Sequence, residues 1–161
     1  MPIYMKFTSP DVKGNVTTEG FKDQIEVTSL TWGTGRAVST TLGKGGNRES
    51  STPSVSEVTV TKELDNASGG LLKEAFSSHS KAGVTLSFVR TDESGAKTYL
   101  TATLTDVAVT SFNLSSGGDR PHESLSFNFI KIEWKFIPVL ADGTDGSAYP
   151  VTYDLTAQKL T

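Results

Sequence analysis

Short segments in which apolar and polar residues alternate recur along the whole chain. In residues 3–8, Ile3, Met5 and Phe7 lie on one side and Tyr4 and Lys6 on the other, which is typical of a half-buried β-strand. The same alternation predicts further strands, separated by segments with turn-forming residues. These strands are expected at residues 24–32, 55–61, 84–91, 97–114, 125–136 and 151–155.

Two of the longer segments change their apolar side part-way along. In segment 97–114 the change lies near Asp106, and in segment 125–136 it lies near residues 129–130. A phase change of one residue predicts a β-bulge or a bend, and long bent strands are typical of a barrel, whose corners need them. Seven or eight strands in hairpin order therefore predict a mainly β fold, an antiparallel β-barrel built from two packed sheets.

One flanking helix and one long extended loop complete the predicted fold. Residues 66–79 carry apolar positions at helical spacing, and His79 is expected at the C-terminal end, where a cation suits the helix dipole. Residues 33–54 are rich in Gly, Ser and Thr and are predicted to form a single loop, of a length that is usually functional or disordered. The whole chain, residues 1–161, is expected to form one domain without internal repeats.

The amino-acid composition excludes several classes of function. Ser and Thr make up 41 of the 161 residues, which favours β structure with hydroxyl-lined faces. The chain has no Cys, so disulfides, thiolate metal sites and cysteine nucleophiles are excluded. A net charge of −3 with scattered Lys and Arg gives no electrostatic footprint for nucleic acid. Without a secretory signal pattern or an apolar segment of about 20 residues, we expect folding in the cytoplasm and no membrane insertion.

Segments that resemble catalytic or ligand-binding motifs lack residues that those motifs require at fixed positions. Residues 43–46 (GKGG) lack the earlier Gly and the following Ser or Thr of a phosphate-binding loop, and residues 142–146 (DGTDG) lack the carboxylates of a calcium loop. No Gly-x-Ser-x-Gly elbow is present. A carbohydrate-binding domain would need an exposed aromatic platform, whereas Trp32 and Trp134 are embedded in strand patterns. We therefore predict no catalytic, cofactor-binding or metal-binding residues, and a protein that is not an enzyme.

The most informative segment is the charged, proline-containing corner at residues 119–124, which leads into the strand that follows. Arg120 is interpreted as pairing with Asp119 or with Glu123 at a barrel rim. An exposed pair of this kind contributes at most about 1 kcal/mol. A pair buried at a subunit contact would cost about 3–5 kcal/mol on losing one partner. Such a corner suits a strand that must be held in register, and losing Arg120 is expected to weaken folding or assembly.

Five segments follow one another as they do in a known family. The corner at residues 119–132 (DRPHESLSFNFIKI) is the most specific, and together the segments resemble the haemolysin-coregulated protein (Hcp) family, the tube subunits of type VI secretion. The resemblance spans essentially the whole chain. The sequence departs from the family pattern at residues 15–16, at Phe21 and at Leu30. These departures affect what the resemblance implies for the early loop. The other four segments are residues 11–14 (DVKG), 25–33 (IEVTSLTWG), 62–72 (KELDNASGGLL) and 153–159 (YDLTAQK).

The resemblance implies that the protein functions by assembling into a larger structure and not by catalysing a reaction. It implies a homohexameric ring that stacks on others into a tube, is expelled by a contractile sheath and carries or chaperones small effectors. The implied partners are further copies of the chain, the sheath, spike and baseplate proteins, and small effector proteins in the lumen. After assembly in the bacterial cytoplasm, the tube would reach the extracellular space or a target cell without a signal peptide. A phage-type tail tube protein of a related contractile particle is the alternative.

The resemblance also implies roles for particular residues. The loop at residues 33–54 resembles the family's ring-to-ring contact, where Arg36, Lys44 and Arg48 would supply charge. Thr31 occupies the small hydroxyl position that in the family faces the lumen near cargo. The corner residues expected at a subunit contact or rim are Asp119, Arg120 and Glu123.

Overall fold

A computed structural model describes residues 1–40 and 48–161, without the side chains of residues 40, 48 and 49. Strands dominate the described residues, and one short helix lies between the eighth and ninth of them. The predicted mainly β fold with one flanking helix is therefore confirmed. The elements are β1 (Ile3–Thr8), β2 (Ile25–Val27), β3 (Ser29–Thr31), β4 (Thr34–Gly35), β5 (Val38–Thr40), β6 (Arg48–Ser50), β7 (Ser54–Val55), β8 (Val58–Glu63), α1 (Ser68–Phe76), β9 (Ala82–Asp92), β10 (Gly95–Ser115), β11 (His122–Asn128), β12 (Lys131–Phe136), β13 (Tyr149–Asp154) and β14 (Lys159–Leu160).

The long strand β10 connects two sheets. Its first half pairs with β9 on one edge and with β12 on the other, and its second half pairs with β11. From β11 the second sheet continues through β8 to β3, and β3 joins β2 through Thr28. Strand β2 pairs with β1, and β1 pairs with β9. The antiparallel pairings thus run from β3 through β8, β11, β10, β9 and β1 to β2, whose link to β3 is the chain at Thr28, and β12, β13 and β14 extend from β10 as a side sheet.

Both predicted bends are present. The register of β10 against β9 shifts between Leu104 and Val107, and Asp106 between them has a left-handed backbone with φ of 53°. Opposite it, strands β11 and β12 are separated at residues 129–130, where the Ile130 amide donates to the Thr105 carbonyl oxygen at 3.1 Å. An extra residue at a bulge bends the strand and increases its twist. The bend in β10 lets that strand belong to both sheets, and the break at residues 129–130 passes the chain from β11 in one sheet to β12 in the other.

The core lies between the two sheets. Its largest fully buried apolar side chains include Phe7, Phe127, Leu125 and Leu71, the last of which comes from the helix. Burying each such side chain contributes roughly 1.5–3 kcal/mol, so the core accounts for much of the stability. Among the described residues no helix has the length and apolar character needed to cross a membrane.

Three predicted elements need correction. The segment at residues 33–54 contains two short antiparallel ladders, β4 with β7 and β5 with β6, which form an extended hairpin. Its Ser and Thr residues support these ladders, since Thr34 Oγ1 donates to the Ser54 carbonyl oxygen at 2.9 Å. The predicted strand at residues 24–32 splits at Thr28, where the chain changes sheets. The helix ends at Phe76, so His79 lies beyond it, with its Nδ1 3.4 Å from the Glu74 carboxylate.

Two close turns depend on particular residues. The hairpin turn between β9 and β10 has Gly95 at φ of 108°, a conformation that favours glycine. Hydrogen bonds from Ser94 and then the nearby Lys97 lower the pKa of Asp92 to about 2. Near the start of the chain, a Cβ on Gly14 would lie 2.4 Å from the carbonyl oxygen of Gln24, so only glycine fits this approach.

Candidate assembly surfaces

Hydroxyl groups cover the outer face of the four-stranded sheet β3–β8–β11–β10. Strands β8 and β11 alternate strictly, and their apolar residues face the core while Ser and Thr face outward. The pairing register aligns these polar residues into rows across the sheet. One row contains Thr31, Thr59, Ser126 and Ser111, and the next contains Ser29, Thr61, Ser124 and Asn113.

The hydroxyl groups within this face bond to one another. Thr59 and Ser126 lie 3.1 Å apart across β8 and β11, and Thr61 contacts both Thr28 and Ser29 across β8 and β3. A face of this kind interacts well with water and carries no fixed charge along its rows. Thr31, the residue that the resemblance places at the lumen, is exposed in the first row.

The same sheet has two outer strands. In the described part of the chain, β3 and the second half of β10 each pair along one edge only. Unpaired strand edges present backbone donors and acceptors that favour pairing with another chain. The sheet therefore combines a wet, hydroxyl-lined face with two edges available for lateral contact.

A buried ion pair lies beneath the corner at residues 119–124. Lys62 on β8 and Glu123 on β11 are directly opposed, and Lys62 Nζ lies 2.7 Å from Glu123 Oε2. The same ammonium group lies 2.8 Å from Asp65 Oδ1 and 3.3 Å from Ser68 Oγ at the start of the helix. Both side chains of the pair are fully buried. This cluster ties β8, β11 and α1 together at one end of the fold.

The corner differs from the prediction. Arg120 pairs with neither Asp119 nor Glu123. Its Nε donates to the Leu64 carbonyl oxygen at 3.0 Å, and its Nη1 lies 3.8 Å from the Glu63 carboxylate. The Arg120 side chain is 59% exposed. The reason is the alternation of β11, which directs Glu123 into the core, whereas Arg120 lies on the surface before the strand begins.

These contacts predict a small effect for Arg120→Ala. We expect the free energy of unfolding to fall by at most about 1 kcal/mol, because the residue contributes one exposed ion pair and one hydrogen bond. Urea denaturation of the variant and the parent protein measures the difference. A fall of about 3 kcal/mol or more, the size expected for a buried pair, would contradict this assignment and restore Arg120 as the anchor of the corner.

The extended hairpin carries the cations expected at a ring-to-ring contact. Arg36 is exposed near its base. Arg48 begins β6 and lies opposite Thr40 in the ladder, whereas Lys44 falls outside the described residues. A ring-stacking role for these three residues stays a prediction.

The turn at residues 142–146 is built by its own side chains. Asp142 Oδ1 accepts hydrogen bonds from the amide and the hydroxyl of Thr144, which lower the pKa of the Asp142 carboxyl. Asp145 accepts from Arg90 Nη2 at 2.8 Å. The two carboxylates are thus engaged in a turn and in an ion pair.

Comparison with protein families identifies the chain. A family model described as "Type VI secretion system effector, Hcp" matches residues 4–136, which include the hydroxyl face, the buried ion pair and the corner. The chain belongs to the Hcp family. It is accordingly a type VI secretion protein of the secreted tube type. Since Hcp proteins are structural, the prediction that the chain is not an enzyme is confirmed.

Solved structures share the Hcp fold along nearly the full length. A structure described as a type six secretion system protein is 25% identical with a TM-score of 0.87, and the match covers 99% of each chain. Hcp1 from Salmonella typhimurium is 22% identical with a TM-score of 0.73, covering 99% of this chain and 98% of its own. The anti-feeding prophage baseplate structure gives 10% identity and a TM-score of 0.52, over 82% and 91%. The comparison with curated proteins gave no match.

Proposed function

We propose that this Hcp protein is a subunit of the type VI secretion inner tube. Six copies close into a ring, rings stack into a tube, and a contractile sheath expels the tube with small effectors in its lumen. The observation that carries the proposal is the four-stranded sheet with a hydroxyl face and two outer edges. Because β3 and β10 lie at opposite edges, copies that meet edge to edge form a head-to-tail contact, the type that closes into rings.

The hydroxyl face is the proposed lumen wall. In a ring closed through the two edges, the sheets of neighbouring copies form one continuous wall, and their outward rows face the same space. Neutral hydroxyl groups hold water and offer hydrogen bonds to an effector without fixing its charge. Thr31 lies in the proposed effector-facing row. The further partners are sheath, spike and baseplate proteins, and the tube passes from the cytoplasm to the extracellular space or the target cell.

Electron microscopy of a labelled variant tests this proposal. The chain lacks Cys, so Thr31→Cys creates a single thiol for a small gold cluster. We expect six-fold rings with the gold inside the central hole. The matched control, Glu93→Cys in the exposed β9–β10 turn, should place gold away from the hole. Rings with the Thr31 label on the outer wall would reject the lumen assignment, and a monomer at high micromolar concentration would reject the ring.

A tail tube protein of a related contractile particle is the second candidate. The fold shared with the anti-feeding prophage baseplate structure favours it. Co-purification with a type VI sheath protein would distinguish the candidates, because a type VI tube protein would recover it and a tail tube protein of another particle would not.

A further inference from the structure

The hydroxyl face carries an acidic residue at each of its two ends. Strands β3, β8 and β11 and residues 107–115 of β10 form this face, and the only Lys or Arg in them is Lys62, which is buried. Glu57 directly precedes β8 and Glu63 is its last residue, and both are exposed. The face therefore presents hydroxyl groups in the middle and carboxylates at both ends, and these strands direct no Lys or Arg outward.

Glu57 belongs to this face by its position in the alternation and by a contact. It precedes the buried Val58, so it has the outward phase of Thr59. Its Oε2 accepts a hydrogen bond at 2.8 Å from Thr110 Oγ1, which also donates to the carbonyl oxygen of Ser126. Among the described side chains Glu57 forms no ion pair. Its negative charge is therefore uncompensated at this end of the face.

The other end of the face is also acidic. Glu63 lies opposite His122 in the ladder between β8 and β11, and Arg120 Nη1 is 3.8 Å from its carboxylate. The side chains of Arg120 and Glu63 are 59% and 50% exposed, so solvent screens this pair. A polar cleft of about 250 Å³ adjoins this end and is lined by both residues and by Glu26, which is exposed on β2. Two exposed carboxylates thus share one guanidinium here.

The two acidic ends act as separate patches. Six residues along an extended strand separate Glu57 from Glu63, a distance of about 20 Å. Exposed charges are largely screened beyond about 10 Å at 0.1 M salt. In a ring that this face lines, every copy repeats both patches, which gives two acidic bands around the lumen. A cavity whose wall carries one sign of charge concentrates ligands of the opposite sign.

We propose that these acidic bands select cationic effectors, so that the tube preferentially holds small proteins with a basic surface. The inference rests on the proposed ring, and it adds the charge class of the effector. Charge complementarity favours a basic partner, because an acidic protein in the lumen would meet like charge at both bands. The hydroxyl rows between the bands supply neutral hydrogen bonds, whereas the carboxylates supply the attraction that acts over a longer distance.

Binding of charged peptides to purified rings tests this inference. The probes are fluorescein-labelled hexalysine and hexaglutamate, measured by fluorescence anisotropy at 0.1 M salt. We expect the parent rings to bind hexalysine at least about tenfold more tightly than hexaglutamate. Glu57→Gln and Glu63→Gln should each raise the dissociation constant of hexalysine about threefold, and the double variant about tenfold, because the two patches act separately. Glutamine at position 57 keeps an acceptor for the Thr110 hydroxyl.

A second double variant controls for net charge, which is −3 for each copy of the parent chain. Glu19→Gln with Glu93→Gln removes the same number of charges from exposed positions in the loop before β2 and in the β9–β10 turn. This control should retain the parent's affinity for hexalysine. Sedimentation and thermal unfolding check that each variant forms folded rings. Glu57→Thr and Glu63→Thr, which extend the hydroxyl rows, replace any variant that does not.

The outcomes separate this inference from the proposed function. Parent rings that bind hexaglutamate as tightly as hexalysine would overturn the inference while the ring itself stands. The same conclusion would follow if the Glu57 and Glu63 double variant kept the parent's affinity, or if the control double variant lost as much. A parent protein without rings would instead overturn the proposed function.

Discussion

Replacing Lys62 with Met should lower the free energy of unfolding by about 3–5 kcal/mol. Methionine fills a similar volume but removes the ammonium group, which leaves the Glu123 carboxylate buried without its cation 2.7 Å away. Breaking a buried pair from one side is costly because the remaining charge is uncompensated. For a chain of this length, such a loss lowers the midpoint of thermal unfolding by roughly 6–20 °C. Differential scanning calorimetry and urea denaturation measure both quantities.

The double variant Lys62→Met with Glu123→Leu is the matched control. Removing both charges of the pair avoids the uncompensated Glu123 carboxylate, and the Asp65 carboxylate keeps its hydrogen bond from the Ala67 amide. Well-packed apolar replacements of a buried pair are often neutral or stabilising. We expect the double variant to recover most of the stability, so that the two substitutions are strongly non-additive. A loss below about 1 kcal/mol in the single variant, the range of exposed pairs, would contradict the burial of the pair. Additive losses would contradict the coupling.

The strands and their bends could be predicted because they depend on local pattern. Alternation of apolar and polar residues determines which side of a strand is buried, and both phase changes, near Asp106 and at residues 129–130, mark the bends in the structure. The sequence predicted a charged corner with a structural role, but it did not predict which residues the corner contacts. Its partners come from β8 and the helix, about 60 positions earlier in the chain, and no local pattern names a partner at that distance.

One signal for the buried pair was nonetheless present in the sequence. Lys62 follows Val58 and Val60 at period two, and Glu123 precedes Leu125 and Phe127 in the same way. Both charges therefore stand at inward positions of their strands. Because a buried charge is rarely left unpaired, two opposite charges in inward phase indicate each other as partners. The exposure of Phe136 and the partial exposure of Trp134 gave no such signal, since apolar side chains at these positions are indistinguishable by pattern from those of a closed core.

The buried ion pair supports the sheet that the proposed ring contact uses. The Lys62–Glu123 cluster holds β8 and β11 in register, and these strands form the middle of the hydroxyl face. The outer strands β3 and β10 then lie at fixed positions on either side of them. A ring contact made through a rigid sheet needs this register, because a slip of one residue would turn the buried face outward.

Shortening the extended hairpin should abolish tubes while leaving rings intact. The Ser51 amide donates to the Ala37 carbonyl oxygen at 2.9 Å, so these two residues are already paired across the hairpin. Replacing residues 38–50 with Asn-Gly joins them through a two-residue turn of favoured type. Strands β4 and β7 remain, whereas β5, β6, Lys44 and Arg48 are removed. Since residues 38, 39 and 50, the removed residues whose side chains the structure describes, are exposed, the free energy of unfolding should change by less than about 0.5 kcal/mol, as at other surface sites.

Electron microscopy and sedimentation, under conditions in which the parent protein forms tubes, measure the outcome. We expect single rings from the shortened protein and a large loss of tubes. A full-length variant with Arg36, Lys44 and Arg48 changed to Gln is the matched control for charge. If the contact depends on these cations, this control also loses tubes, and the parent's tubes weaken with salt, which screens exposed charges. Tubes of normal length from the shortened protein would refute the stacking role, and failure of that protein to fold would make the hairpin part of the core.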